Sequence, residues 1–417
     1  MLTNEEECAT MYPDYGEPTT ASGVTPDTPL ECLNLNWQEA DLPEKERTKH
    51  VHRLHPYLGK FIPQLVEIFL RKYFAPGQTV LDPFCGSGTT LVQANELGIN
   101  AIGYDISAFN VLLCHVKTAR YDLARVEKEV LGILERVRLA TQLDARQLTL
   151  WPVEGGATTK STLPESFGVD NGYLKEWFAP QALQELLTYR HFIETGGYEY
   201  QNLLKIILSR SARSARLTTH FDLDFPKHPQ TEPYWCYKHS RECRPTQEAF
   251  KFIRRYSLDA LKRIKQFADV RTDATTIIRH ADSREGGFPP IDGVITSPPY
   301  VGLIDYHEQH IYAYHLLGLE DKRNHEIGPA ANGSGKKARQ QYQSDIAEVF
   351  SRAADAMPVG GRMIVIANDR SELYGDIAER IGVEVEDIVN RHVNRRTGRR
   401  STEFYESIFI WRKCADK

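Results

Sequence analysis

Residues 78–105 read "QTVLDPFCGSGTTLVQANELGINAIGYD", and this segment narrows the fold more than any other. A β-branched, apolar run ends at Asp82, and a turn carrying Gly86 and Gly88 follows. "TTLVQANEL" has helical character and stops at Gly98, and "NAIGYD" is a second short strand ending at Asp105. Strand, helix and strand at this spacing form a βαβ unit, so the two strands are parallel and helices cover the sheet. The expected fold class is α/β: a doubly wound, mostly parallel sheet.

Around this unit, "YLGKFIPQLVEIFLRKYF" (57–74) sets Phe61, Leu65, Ile68 and Phe69 near one helical face, with Pro63 in the first turn. From about residue 121 to 271 the pattern is mostly helical. It is interrupted by a Gly/Thr/Pro-rich stretch (154–164) and a His/Pro-rich one (220–245). Alternation resumes with "TTIIRHAD", "GVITSPPY", a helix near 342–356, and three closing strands in "GGRMIVIAND", "VEVEDIVNRHV" and "YESIFIWRK". The expected organisation is an acidic tail (1–45), a first part of the main domain (46–120), a helical insertion that is a candidate for target recognition (121–271), and a second part (272–417).

Charge distribution bears on partners more than its total. The net charge is −5, but residues 1–45 hold ten acidic side chains against one Lys, which leaves about +4 for the rest. The tail is also rich in Thr, Pro and Gly and is expected to be largely disordered. The mildly basic remainder admits nucleic acid. The seven cysteines are odd in number and scattered, which suits a reducing interior. No apolar run reaches about 18 residues and the N-terminus is acidic, so the expected location is cytoplasmic, with no membrane partner.

Three strands end in an acid: Asp82, Asp105 and Asp282. Open α/β sheets bind ligands at the carboxyl ends of their strands, and an acid at the tip of the second strand suits ribose hydroxyls. The glycines of "DPFCGSGTT" let the backbone approach a ligand closely, and the following helix start offers N–H groups. The turn lacks the Lys of a phosphate loop, so a carboxylate or ribose fits better than a polyphosphate. Together these residues suggest an adenosine-bearing cosubstrate.

The strand "GVIT" does not end in a Gly or Asn turn. It runs into Ser297, Pro298, Pro299 and Tyr300, where two successive residues lack an N–H and have a fixed φ. Backbone carbonyls there and the Ser297 hydroxyl are acceptors without competing donors. Such a cradle can accept both hydrogens of an exocyclic nucleobase amine and free its lone pair for attack. The Tyr300 ring offers a face on which a flipped base stacks, and flipping is required because the amine is out of reach in a duplex.

The combination resembles the amino-group DNA methyltransferases that use S-adenosylmethionine, over roughly residues 50–120 and 275–412. The resemblance implies a Rossmann-like class I methyltransferase fold. It implies that "DPFCGSGTT", with Asp82, Phe84, Cys85, Gly86, Ser87, Gly88 and Thr89, binds the methionine part of the cosubstrate, and that Asp105 and Ile106 hold the ribose. Asp282 matches the acid that contacts the adenine, and "HPYLGKFIPQ", with Lys60 and Phe61, resembles the element that completes the pocket. Ser297, Pro298, Pro299 and Tyr300 match the catalytic motif, and a serine at its head tilts the target to cytosine N4 over adenine N6. The cosubstrate motif precedes the catalytic one, and the long insertion falls before the Asp282 strand.

Double-stranded DNA is therefore the expected partner, together with a restriction endonuclease acting on the same site. Arg210, Arg213 and Arg216 recur every three residues on one helical face, and Arg395, Arg396, Arg399 and Arg400 flank a Gly turn. Both groups are candidates for phosphate contacts. Cys236, His239 and Cys243, with His220 or His228 as a fourth ligand, have a spacing compatible with zinc but match no standard finger. Reduced, unliganded side chains are the expected state. Asp305, His307 and His310, after the catalytic motif, are expected to shape the target-base pocket or cap the following helix, since direct methyl transfer requires no metal. Two rival readings share these residues: an RNA amine methyltransferase, and a non-catalytic DNA-binding subunit that keeps the fold.

Overall fold

The computed structural model describes residues 16–150, 171–220, 225–393 and 404–415. The described strands are β1 (Thr79–Asp82), β2 (Asn100–Asp105), β3 (Tyr234–Cys236), β4 (Arg241–Cys243), β5 (Thr276–His280), β6 (Gly293–Thr296), β7 (Arg362–Ala367), β8 (Val383–Val393) and β9 (Phe404–Lys413). Seven of them form one sheet in the order β5-β2-β1-β6-β7-β9-β8, while β3 and β4 make a separate antiparallel hairpin. The β1–β2, β2–β5, β1–β6 and β6–β7 pairs are parallel, and β9 runs antiparallel between β7 and β8. From β1 the chain proceeds to β2 and β5 on one side, then returns to β6 on the other. That reversal opens a crevice at the carboxyl ends of β1 and β6.

The helices of the sheet layers are α1 (Pro63–Tyr73), α2 (Thr89–Glu96) and α3 (Ala108–Thr118). Those of the helical region are α4 (Leu123–Leu150), α5 (Gly172–Trp177), α6 (Pro180–Thr195), α7 (Gln201–Ala215) and α8 (Phe250–Ala268). After β6 come α9 (Ile311–Leu317), α10 (Lys336–Ala356) and α11 (Leu373–Ile381). Neighbouring side chains of a strand point to opposite faces. In β6, Ile295 packs with Leu65 and Phe69 of α1, whereas Val294 packs with Ile346 and Phe350 of α10. Burial of both faces explains why the central strands read as continuous apolar runs.

The described residues of 121–271 are mainly helical, and they include the β3–β4 hairpin, which the sequence reading did not expect. Their core is continuous with that of the sheet. Val126, Val130, Ile133 and Val137 recur along α4 and join Phe109 and Leu113 of α3, Ile207 of α7, Ile264 of α8 and Tyr312 of α9. Among the described residues no helix is long and apolar enough to cross a membrane.

The expectation of a largely disordered tail fails for residues 16–45. Ala21, Val24, Leu33 and Leu35 are buried against α1, and the Trp37 indole donates to the Thr19 carbonyl at 3.0 Å. Charge and Pro/Gly content dominate the average composition of this segment, but four apolar side chains suffice to dock it. Helix α10 begins at Lys336, ahead of the expected 342, because its first turn is polar and shows no periodicity.

Candidate active site

The crevice is an open cleft bordered by the ends of β1, β2 and β6 and the loops that follow them. One wall is the turn between β1 and α2. Gly86 and Gly88 have φ of +47° and +75°, and a Cβ on Gly88 would lie 2.9 Å from the Cys114 sulfur, so only glycine fits there. Lys117 is fully buried beneath the turn and donates to the Ser87 carbonyl at 2.5 Å. Burial holds its pKa well below the ordinary lysine value.

Asp82, at the end of β1, is 1% exposed and is not among the residues that line the cleft. Its Oδ1 accepts from the Thr296 hydroxyl at 2.6 Å and the Phe84 N–H at 3.2 Å, while Oδ2 is buried without a hydrogen-bond partner. Burial pushes this carboxyl up from 3.8 to about 6 against the pull of those bonds. The Thr296 contact also ties the end of β6 to the end of β1.

At the tip of β2, Asp105 accepts from the Gly86 N–H and the Ser107 N–H, each at 2.8 Å, and from the Asn110 amide at 3.1 Å. Burial raises its pKa despite these donors. Next to it, Ile106 lends its carbonyl to His280 Nε2 at 2.9 Å. Asp282 is held by the Arg284 guanidinium at 2.6 Å; burial alone would raise its pKa, but that pair carries it below the ordinary value. Ser283 donates to the Pro83 carbonyl at 2.6 Å and so locks the Asp282 loop to the glycine turn. On the opposite side, Lys60 donates to the His52 carbonyl at 3.0 Å, and burial lowers its pKa to about 8. Of the expected cosubstrate residues, Lys60, Phe61, Phe84, Cys85, Gly86, Ser87, Thr89, Asp105, Ile106 and Asp282 line this one cleft, while Asp82 and Gly88 are not among its lining residues.

Ser297 and Pro299 line the same cleft, while Pro298 and Tyr300 are not among its lining residues. Tyr300 packs toward the α10 side, and its hydroxyl donates to Glu406 at 3.0 Å; Glu406 in turn pairs with Arg391 at 2.8 Å, both buried. Two of the aromatic rings on the cleft wall, Tyr57 and Tyr306, lie 6.2 Å apart and stacked at 22°. Glu326 also lines it: its Oε1 accepts the His307 N–H at 2.9 Å, and its buried Oε2 has no hydrogen-bond partner. Sequence reasoning did not single out Tyr306, at the start of a four-residue helical turn (Tyr306–Gln309), or Glu326, in an irregular segment; both stretches are too short to show periodicity. Asp305 caps the following helical turn by accepting the Glu308 N–H at 2.8 Å.

Two groups of expected DNA contacts fare differently. Arg210 pairs with Asp259 at 2.7 Å and lies 4.2 Å over the Tyr256 ring, and Arg216 is 2% exposed with its guanidinium 4.4 Å from Tyr312. Neither faces solvent, because α8 and α9 cover the face that the three arginines share; Arg213 is half-buried on the same helix. Arg395, Arg396, Arg399 and Arg400 lie outside the described residues. Cys236, His239 and Cys243 converge with His220, and His228 is not in the group.

The family model described as "DNA methylase" (N6_N4_Mtase) matches residues 20–113, starting inside the segment whose composition read as a tail. The chain is 36% identical to the type II methyltransferase M.MjaII of Methanocaldococcus jannaschii, over 90% of this chain and 83% of that one. It is 24% identical to the type II methyltransferase M.BsoBI of Geobacillus stearothermophilus, over 69% of this chain and 56% of that one. The type II methyltransferase M.MvaI of Kocuria varians is also 24% identical, with 65% and 55% covered.

Proposed function

The chain belongs to the type II amino-group DNA methyltransferases, and on that premise we propose that it methylates the N4 amine of a flipped cytosine in double-stranded DNA, as the modification partner of a restriction endonuclease. The methyl donor is S-adenosylmethionine. The observation that carries the reading is that Ser297 and Pro299 line the same cleft as the glycine turn, Asp105 and Asp282.

The cleft fits such a donor. Behind the glycine turn, Asp82 keeps a buried carboxylate oxygen without a hydrogen-bond partner, whose charge favours a cationic amine beside the turn. Asp105 retains acceptor capacity for ribose hydroxyls, and Ile106 and Asp282 border the space for an adenine. When bound, the donor supplies an electrophilic methyl group. The chain's own residues do the rest by orientation and exclusion of water. The Ser297 hydroxyl and the carbonyl between Pro298 and Pro299 accept the two amine hydrogens, and neither proline has an N–H to compete for them. The nitrogen lone pair is thereby turned out of conjugation with the base. Tyr306, on the cleft wall, offers the stacking face that the sequence assigned to Tyr300. Cys85 is no nucleophile: its contact with Cys114, sulfurs 3.8 Å apart, and its burial hold the thiol protonated.

The serine at the head of the catalytic motif supports cytosine over adenine. Incubation with methyl-labelled donor and unmethylated genomic DNA, with total RNA in parallel, followed by digestion to nucleosides, tests the assignment. Label in N4-methylcytosine is expected. Label in N6-methyladenine would overturn the base, and label confined to RNA would overturn the substrate.

A further inference from the structure

Strands β3 and β4 form a hairpin of three residues each, paired Tyr234 to Cys243 and Cys236 to Arg241. A two-stranded ribbon of this size has little stability of its own in water. Trp235, Arg241 and Glu242 point to solvent, yet Cys236 is 0% and Cys243 8% exposed. Neither sulfur belongs to a hydrophobic cluster of the protein; they are buried by one another and by two histidines.

The geometry of those four groups is specific. Cys236 Sγ lies 3.4 Å from His220 Nδ1 and 3.5 Å from His239 Nδ1, and His239 Nδ1 lies 3.4 Å from Cys243 Sγ. All four candidate ligand atoms fall within 4.8 Å of one another. His239 Nδ1 thus faces both sulfurs at nearly equal distance, the placement of a ligand atom that shares one ion with them. A tetrahedral zinc ion, with Zn–S of about 2.3 Å and Zn–N of about 2.0–2.1 Å, sets nitrogen and sulfur about 3.5 Å apart. The two imidazoles have centroids 4.6 Å apart and are steeply inclined at 75°, so both rings approach the sulfurs without stacking on each other. Local backbone agrees: Ser240 takes a φ of +50°, which a non-glycine residue adopts at a cost, and this turn swings His239 back over the sulfurs. Tyr234 positions the fourth group by accepting the His220 backbone N–H at 3.0 Å; its hydroxyl also lies 2.9 Å from His220 Nδ1, a contact that metal ligation through that nitrogen would replace.

We propose that His220, Cys236, His239 and Cys243 bind a structural zinc ion that clamps the β3–β4 hairpin to the segment following α7. All four positions are filled by the protein, which leaves no open coordination site and no part in methyl transfer. The proposal departs from the unliganded state expected from sequence, and it takes His220, sixteen residues before Cys236, as the fourth ligand in preference to His228.

The test is the metal content of the full-length protein, purified without chelator from zinc-supplemented culture. About one zinc per chain is expected after desalting, retained by His228→Ala and lost from Cys236→Ser and Cys243→Ser. Because the cysteine variants can misfold, cobalt-exchanged wild-type protein provides an independent readout. Intense visible d–d bands and a thiolate charge-transfer band are expected for a tetrahedral site with two sulfurs. Wild-type protein with far less than one zinc, a weak octahedral cobalt spectrum, or a Cys236–Cys243 disulfide found by mass would each overturn the proposal.

Discussion

Replacing Asp82 with Asn should stabilise the protein and impair it. A carboxyl that titrates at about 6 when folded and at 3.8 when unfolded costs the folded state about 3 kcal/mol once both are ionised. The sign follows from proton binding. Between pH 3.8 and 6 the folded state holds the proton more tightly, so this group's contribution falls as pH rises through that window. Asn is isosteric. Its Oδ1 keeps the bonds from Thr296 and Phe84, and an amide takes the place of the partnerless Oδ2. Scanning fluorimetry without cosubstrate should therefore give equal Tm values for Asp82→Asn and wild type near pH 4. Above pH 7 the variant should lead by on the order of 5 °C. Affinity for S-adenosylmethionine should fall about 10- to 100-fold, the worth of a hydrogen bond to a charged group. A variant less stable than wild type at pH 7.5 would refute the burial argument, and unchanged affinity would refute the role of Oδ2.

Gly88→Ala should cost roughly 1–3 kcal/mol through its φ of +75° and its 2.9 Å approach to Cys114. Adding Cys114→Ala should return part of that loss, and a strictly additive double-mutant cycle would contradict the contact. Arg210→Ala should lower Tm by breaking the Asp259 pair while leaving the salt dependence of DNA binding unchanged. A slope shallower by about one would restore Arg210 as a phosphate contact.

The glycine turn, Asp105 and the Ser297 motif were legible because each combines a strand end with residues of unusual backbone demand, and such demands are local. Positions set by long-range packing were not. Arg210 and Arg216 have the spacing of one helical face, but spacing does not say whether that face meets water or the rings of Tyr256 and Tyr312. Leu33 and Leu35 sit in an acidic segment whose average hides two core residues. Tyr306 and Glu326 reach the cleft only because the chain after β6 folds back over it. The Tyr300 ring was expected in the cleft from its neighbours in sequence, but its hydroxyl is drawn to Glu406 on a strand more than a hundred residues away.

The most direct test of the central claim is a single-turnover comparison of Ser297→Ala with wild type on unmethylated duplex, with donor affinity measured in parallel. Ser297 reaches the cleft without taking part in the Asp82 and Asp105 networks. The methyl-transfer rate is expected to fall about 100-fold, the scale of one lost polar contact to the reacting group, with donor affinity unchanged. An unaltered rate at equal donor occupancy would contradict the assignment of the catalytic site to this loop.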